Sequence, residues 1–145
     1  MLGRHGNNLY WMARYLERSE NNARRIQATL PHYLSHKDED HDEWGSIVAV
    51  SGFHDTFNLS YENRSMTNVI NFLLRDRKNL NSIAVLMSNA RQNGRSVRAY
   101  LTQEVWQSLN ECWINCEYSL KRQVSIQNLP IILEDIVKGL SLIHI

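Results

Sequence analysis

The chain has 145 residues, 43% hydrophobic and 21% charged, with a formal net charge of +1. Those totals suit one globular domain with a real core, and they give no bulk field that argues for nucleic acid, a membrane surface or an acidic substrate. No apolar run approaches the roughly 20 residues that cross a bilayer, and MLGRHGNNLYW lacks a signal peptide's apolar middle, so a cytoplasmic setting is expected.

The first helix is predicted from Asn7 to Leu30, a stretch with no internal Pro or Gly in which Leu9, Leu16, Ala23 and Leu30 recur at helical spacing. At about 100° per residue, Glu20 falls between Leu16 and Ala23 on that stripe. Glu17 and Arg24 flank one edge, with Arg14 a turn behind Glu17. Carboxylates on a core face are costly unless paired. Pro31 should end this helix, since it has no N–H to donate and clashes with the preceding turn. A polar connection over residues 31–43 is expected to follow.

A short apolar helix is expected around Trp44 to Val50, stopped by Gly52. Another runs from about Ser65 to Arg75, burying Met66, Val69, Ile70 and Leu73. Asp76 to Asn81 reads as a turn in which Asn79 or Asn81 caps the next helix. That helix, Ser82 to about Leu101, carries the stripe Ile83, Met87, Ala90, Gly94, Val97 and Leu101. Gly94 costs about 1 kcal/mol against Ala in mid-helix, which points to the close approach of a neighbour. Arg91, Arg95 and Arg98 form a ridge beside the stripe. If this helix packs on the first, the ridge can meet Glu17 and Glu20 as bidentate pairs, either fixing register or lining a pocket for a polar ligand.

Thr102 should cap the next helix, with Glu104 in its first turn and Val105, Leu109, Cys112, Cys116 and Leu120 on one face. Cys112 and Cys116 read as buried small hydrophobes. Pro130 opens a last helix with Ile131, Ile132, Ile136 and Val137 as its apolar residues. The ending LSLIHI, Leu140 to Ile145, is apolar and uncapped. No strand alternation occurs, so the class is all-α, a bundle of about five to six helices.

Other signals are weaker. His32, His36 and His41 with Asp38, Glu39, Asp40, Asp42 and Glu43 lie on a polar connection with no rigid element to fix them, so no metal site is expected. Nor is a cofactor. The tryptophans Trp11, Trp44, Trp106 and Trp113 read as packing residues, although Trp11 faces away from the stripe and needs a second surface. No phosphate loop, nucleophile elbow or metalloprotease helix occurs.

The run LYWMARYLERSENNAR, Leu9 to Arg24, resembles the opening of the bacterial alpha-E family. The likeness continues through Trp44 and Gly52, FLLRDRKNLNSI at Phe72 to Ile83, ARQNGRSVR at Ala90 to Arg98 and EVWQSLNE at Glu104 to Glu111. Leu80 stands where the family often has proline. The resemblance implies an all-helical protein of roughly twice this length, beyond the usual single domain, of which this chain matches the first half. Apolar faces left by such a truncation would favour self-association.

It also implies partners, an ATP-grasp ligase-like protein and a transglutaminase-like peptidase, in a peptide-modification system. Arg14, Glu17, Arg18, Glu20 and Arg24, with Arg91, Arg95 and Arg98, match the family's motifs and form the candidate polar cluster. Two functions are then expected: a non-catalytic scaffold or binding module in that system, or an enzyme that uses Glu17 or Glu20 as acid or base beside an arginine anion site.

Overall fold

The structure is a computed structural model that describes residues 2–35 and 66–143. Within them lie α1 (Leu2–Ser35), α2 (Met66–Leu74), α3 (Ile83–Ser96), a 3-10 turn (Arg98–Tyr100), α4 (Gln103–Ser119) and α5 (Leu129–Ser141). No strand occurs among the described residues, as the patterning predicts. No helix among them is long and apolar enough to cross a membrane. The expected helix at Trp44 to Val50 and the His/Asp/Glu connection from His36 to Glu43 lie outside the described residues.

Helix α1 packs on α3 and α5, and α4 closes the ring by packing on the same two helices. Helix α2 rests on α3. All five contribute to one core, from Met12, Leu16 and Ile26 on α1 through Phe72 and Met87 to Leu109, Leu133 and Ile136. Burial of these side chains away from water is the main favourable term.

The interior face of α1 consists of two interleaved rows. Leu16, Ala23 and Leu30 form one, and Met12, Ser19 and Ile26 form the other; all six are buried. The stripe therefore centres between the rows, on the Ser19 side of Leu16, and Glu20 stands about 60–80° off that centre at 100° per residue. Ser19 occupies the interior position, its hydroxyl donating to the Tyr15 carbonyl at 2.9 Å. Reading only the Leu9 row shifts the apparent stripe toward Glu20.

Pro31 does not end α1, which continues to Ser35 with the proline inside it. The ring's fixed φ is itself helical, so one lost N–H bond and local crowding do not oblige the helix to stop. The cap of α3 is Ser82 rather than Asn79 or Asn81: its hydroxyl accepts from the Val85 N–H at 3.3 Å. Asn79 builds the preceding turn instead. Its Nδ2 donates to the Phe72 carbonyl at 2.9 Å, and its Oδ1 accepts from the Asn81 N–H at 3.0 Å.

The stretch expected as one helix to Leu101 tightens after Ser96. Val97, Tyr100 and Leu101 donate to carbonyls three residues back, the usual way a helix end narrows. Thr102 caps α4, accepting from Val105 at 3.2 Å. Leu109, Cys112, Cys116 and Leu120 are buried along its inner face. At the far end, Arg75 donates from Nε to the Leu120 carbonyl at 3.0 Å and from Nη2 to the Lys121 carbonyl at 2.9 Å. A cation is thus placed on the negative end of α4.

In α5 the core residues are Leu129, Leu133, Ile136 and Leu140. Ile131, one of the apolar residues of this helix, is 63% exposed. With Pro130 in the first turn, the period that closes on the core runs through Leu129, and Ile131 falls on the opposite side. Gly94 meets the expectation of a close approach. A Cβ there would lie 2.7 Å from Leu109 Cδ2 and 3.0 Å from Met12 Sδ, so α1 and α4 converge on it.

Candidate functional site

The segment Arg14 to Arg24 lies on α1, an uninterrupted helical stretch whose inner rows fix its rotation. Its charged side chains therefore point outward or along the edge. Arg14 Nη1 pairs with Glu17 Oε2 at 3.4 Å, and Arg24 Nη2 pairs with Glu20 Oε1 at 3.7 Å. The Glu17 side chain is 61% exposed and that of Glu20 30%. These are i,i+3 and i,i+4 pairs in largely aqueous surroundings, worth a few tenths of a kcal/mol, on the order of 0.3–0.5 each.

The expected buried Glu/Arg network is not formed among the described residues. The arginine ridge of α3 turns toward α4, not α1. Arg91 donates from Nε to Asn110 Oδ1 at 3.0 Å, and its guanidinium lies 4.2 Å from the Trp113 ring centroid. Arg98 lies 5.3 Å from the Trp106 centroid, and Arg95 is exposed. The reason is geometric: Arg91 and Arg98 each follow a stripe residue (Ala90, Val97) by one position, about 100° round the chain axis, on the side occupied by α4.

Arg18 is half-buried at the outer edge of α1, between Arg14 and Arg25 on the same face. Next to it Tyr10, Trp11 and Tyr15 form an aromatic cluster. The rings of Tyr10 and Trp11 meet edge-on at 5.4 Å, and those of Trp11 and Tyr15 lie tilted at 5.8 Å. Trp11 thus finds its second surface within its own helix. The outer face of α1 combines Tyr10, Trp11, Arg14, Glu17, Arg18, Asn21 and Arg25.

A cross-helix polar cluster between α3 and α4 was not legible from spacing. Arg77 Nη2 pairs with Glu117 Oε1 at 2.8 Å, and Arg77 Nη1 donates to Ser88 Oγ at 3.3 Å. Trp113 Nε1 reaches the same hydroxyl at 3.5 Å. The partners are separated by 40 residues in the Arg77–Glu117 case, so no local pattern announces them. Clefts form elsewhere. One groove of about 540 Å³ lies between α4 and α5, lined by Ser108, Glu111, Cys112, Asp135 and Lys138 among others. A second, at the start of α1, is lined by Arg4, His5, Asn7, Asn8 and Ser96.

The only Glu-Arg dipeptide in the sequence is Glu17–Arg18, on this outer face. A family model described as "a predicted alpha-helical domain with a conserved ER motif" matches residues 1–144. The chain belongs to the Alpha-E family. No curated protein and no solved structure matches it. In this Alpha-E chain the Glu-Arg dipeptide sits beside an aromatic cluster on a helix surface, with its glutamate tied back to Arg14.

Proposed function

We propose that this Alpha-E domain is a non-catalytic binding module that docks a protein partner through the outer face of α1. The partner is an ATP-grasp ligase-like protein or a transglutaminase-like peptidase, within a peptide-modification system. The supporting observation is the composition of that face. Trp, Tyr and Arg are the residue types most enriched among binding hot spots, and here Tyr10, Trp11, Arg14, Arg18 and Arg25 stand together outward. Rigid aromatic rings offer contact area at small entropic cost, while guanidinium groups supply directional donors for carboxylates on a partner.

The enzyme reading has less behind it. Catalytic carboxylates work in clefts that exclude water and hold a substrate against them. Glu17 instead stands on an outer helix face. Two of the three ridge arginines that would have completed an anion site, Arg91 and Arg98, are laid against Trp113 and Trp106.

Co-purification tests this proposal. The tagged chain is expressed with the ATP-grasp ligase-like and transglutaminase-like proteins of the same genome, and retention is measured for wild type, Trp11→Ala, Arg18→Glu and Glu20→Gln. Retention of one partner by wild type and Glu20→Gln, with loss of at least about tenfold in Trp11→Ala or Arg18→Glu, is expected. Failure of wild type to retain either partner, or equal retention by all variants, overturns it.

A further inference from the structure

Cys112 and Cys116 are the two cysteines of the sequence, one helical turn apart on the inner face of α4. Both are free and buried. Residues four apart in a helix share a face, so the two thiols project to the same side of α4 from consecutive turns. Helix α5 meets this pair with Gly139, where a Cβ would lie only 3.2 Å from Cys112 Sγ. A cavity of about 30 Å³ is lined by both cysteines together with Asn115, Ser119, Asp135 and Ile136. It shares Cys112, Asn115, Ser119, Asp135 and Gly139 with the open α4–α5 groove.

A dithiol in this setting has few chemical uses. A disulfide needs Cβ atoms about 3.5–4.5 Å apart, whereas helical neighbours at i,i+4 stand about 5–6 Å apart. Closing it would unwind a turn of α4. A tetrahedral zinc site needs four ligands, and no group of three or more His, Cys, Asp or Glu donors is assembled among the described residues. A two-coordinate cation asks for less: two soft sulfurs separated by about twice a metal–sulfur bond, or ~4.6 Å using the zinc value. Side chains at i,i+4 reach that span with small rotamer changes.

We propose that Cys112 and Cys116 form a two-coordinate bis-thiolate site for a soft monovalent cation of the Cu(I) class. Thiolates select this ion over harder cations. Binding forms two copper–sulfur bonds and releases the two thiol protons to solvent, with copper remaining Cu(I). The resulting anionic centre has Lys138 and Asp135 as the charged groups of α5 that line the groove, and Glu111 and Glu117 as those of its own helix nearby.

The test is anaerobic titration of the full chain with Cu(I) held by bicinchoninate, a chromophoric competitor, followed by copper-edge X-ray absorption. Wild type should withdraw one equivalent from the competitor and show two sulfur neighbours at the metal. Cys112→Ala/Cys116→Val, which keeps small apolar groups in place, should lose that equivalent. Absence of withdrawal by wild type, equal withdrawal by the variant, or nitrogen and oxygen neighbours in place of sulfur overturns the proposal. If the variant fails to fold, the wild-type absorption spectrum alone decides.

Discussion

The Arg91 guanidinium lies 4.2 Å from the centre of the Trp113 ring while its Nε donates to Asn110 Oδ1, so this arginine joins α3 to α4. The contact combines a cation–π attraction with a hydrogen bond from a charged donor. Arg91→Ala should cost about 1–2 kcal/mol. A double-mutant cycle with Trp113→Leu, read by urea unfolding, should return a coupling of about 0.5–1 kcal/mol. Additive single effects would contradict the contact.

Gly94 separates helix propensity from packing. Alanine gains about 1 kcal/mol in a helix interior, yet its methyl would fall 2.7 Å from Leu109 Cδ2 and 3.0 Å from Met12 Sδ. Both neighbours are fully buried, so neither can swing aside into solvent. Overpacking of this kind costs about 1–3 kcal/mol, and Gly94→Ala should lower stability on balance. Chemical denaturation measures it; a gain in stability would contradict the close approach of α1 and α4.

Arg75 caps the last turn of α4 through two carbonyls, Leu120 and Lys121. Arg75→Met keeps the aliphatic stem and removes the donors. It should lower stability by about 1–2 kcal/mol and speed amide exchange in the last turn of α4. Unchanged exchange there would show that the cap contributes nothing.

The thiol pair has a signature at high pH. The bond to Cys112, together with burial, pushes the Cys116 thiol well above its ordinary 9.0. Above pH 9 the unfolded chain therefore loses a proton that the folded chain keeps, and stability falls as pH rises. Cys112 moves the other way, lowered chiefly by the hydrogen bond from Cys116, so it adds stability as pH approaches 9.0 from below. The stability of wild type minus that of Cys116→Val, measured by urea unfolding, should decline from pH 9 upward. A flat difference would contradict the pairing.

The core of this chain was readable where both rows of a helix are apolar. Of the expected stripe Ile83, Met87, Ala90, Gly94, Val97 and Leu101, all but the half-buried Leu101 are buried as spacing alone predicts. On the α4 face Leu109, Cys112, Cys116 and Leu120 are buried, and Val105 is half-buried. The expectation of inward-facing carboxylates fails where one interior position is polar. Ser19 takes a core place in α1 because its hydroxyl is satisfied by the preceding turn. The polar residue between Met12 and Ile26 broke that row and moved the apparent stripe toward Glu20. Which flank of the α3 stripe would meet α4 is a tertiary fact with no local signal, and it decides where Arg91 and Arg98 go.

Thermal unfolding of Glu17→Gln/Glu20→Gln is the most direct test of the outward placement of the acidic groups of α1. Two solvated in-helix pairs sum to no more than about 1 kcal/mol, so the midpoint should stay within about 3–4 °C of wild type. Loss of a buried, arginine-neutralised pair would cost about 3–5 kcal/mol, and a midpoint lowered by about 10 °C or more would contradict the account.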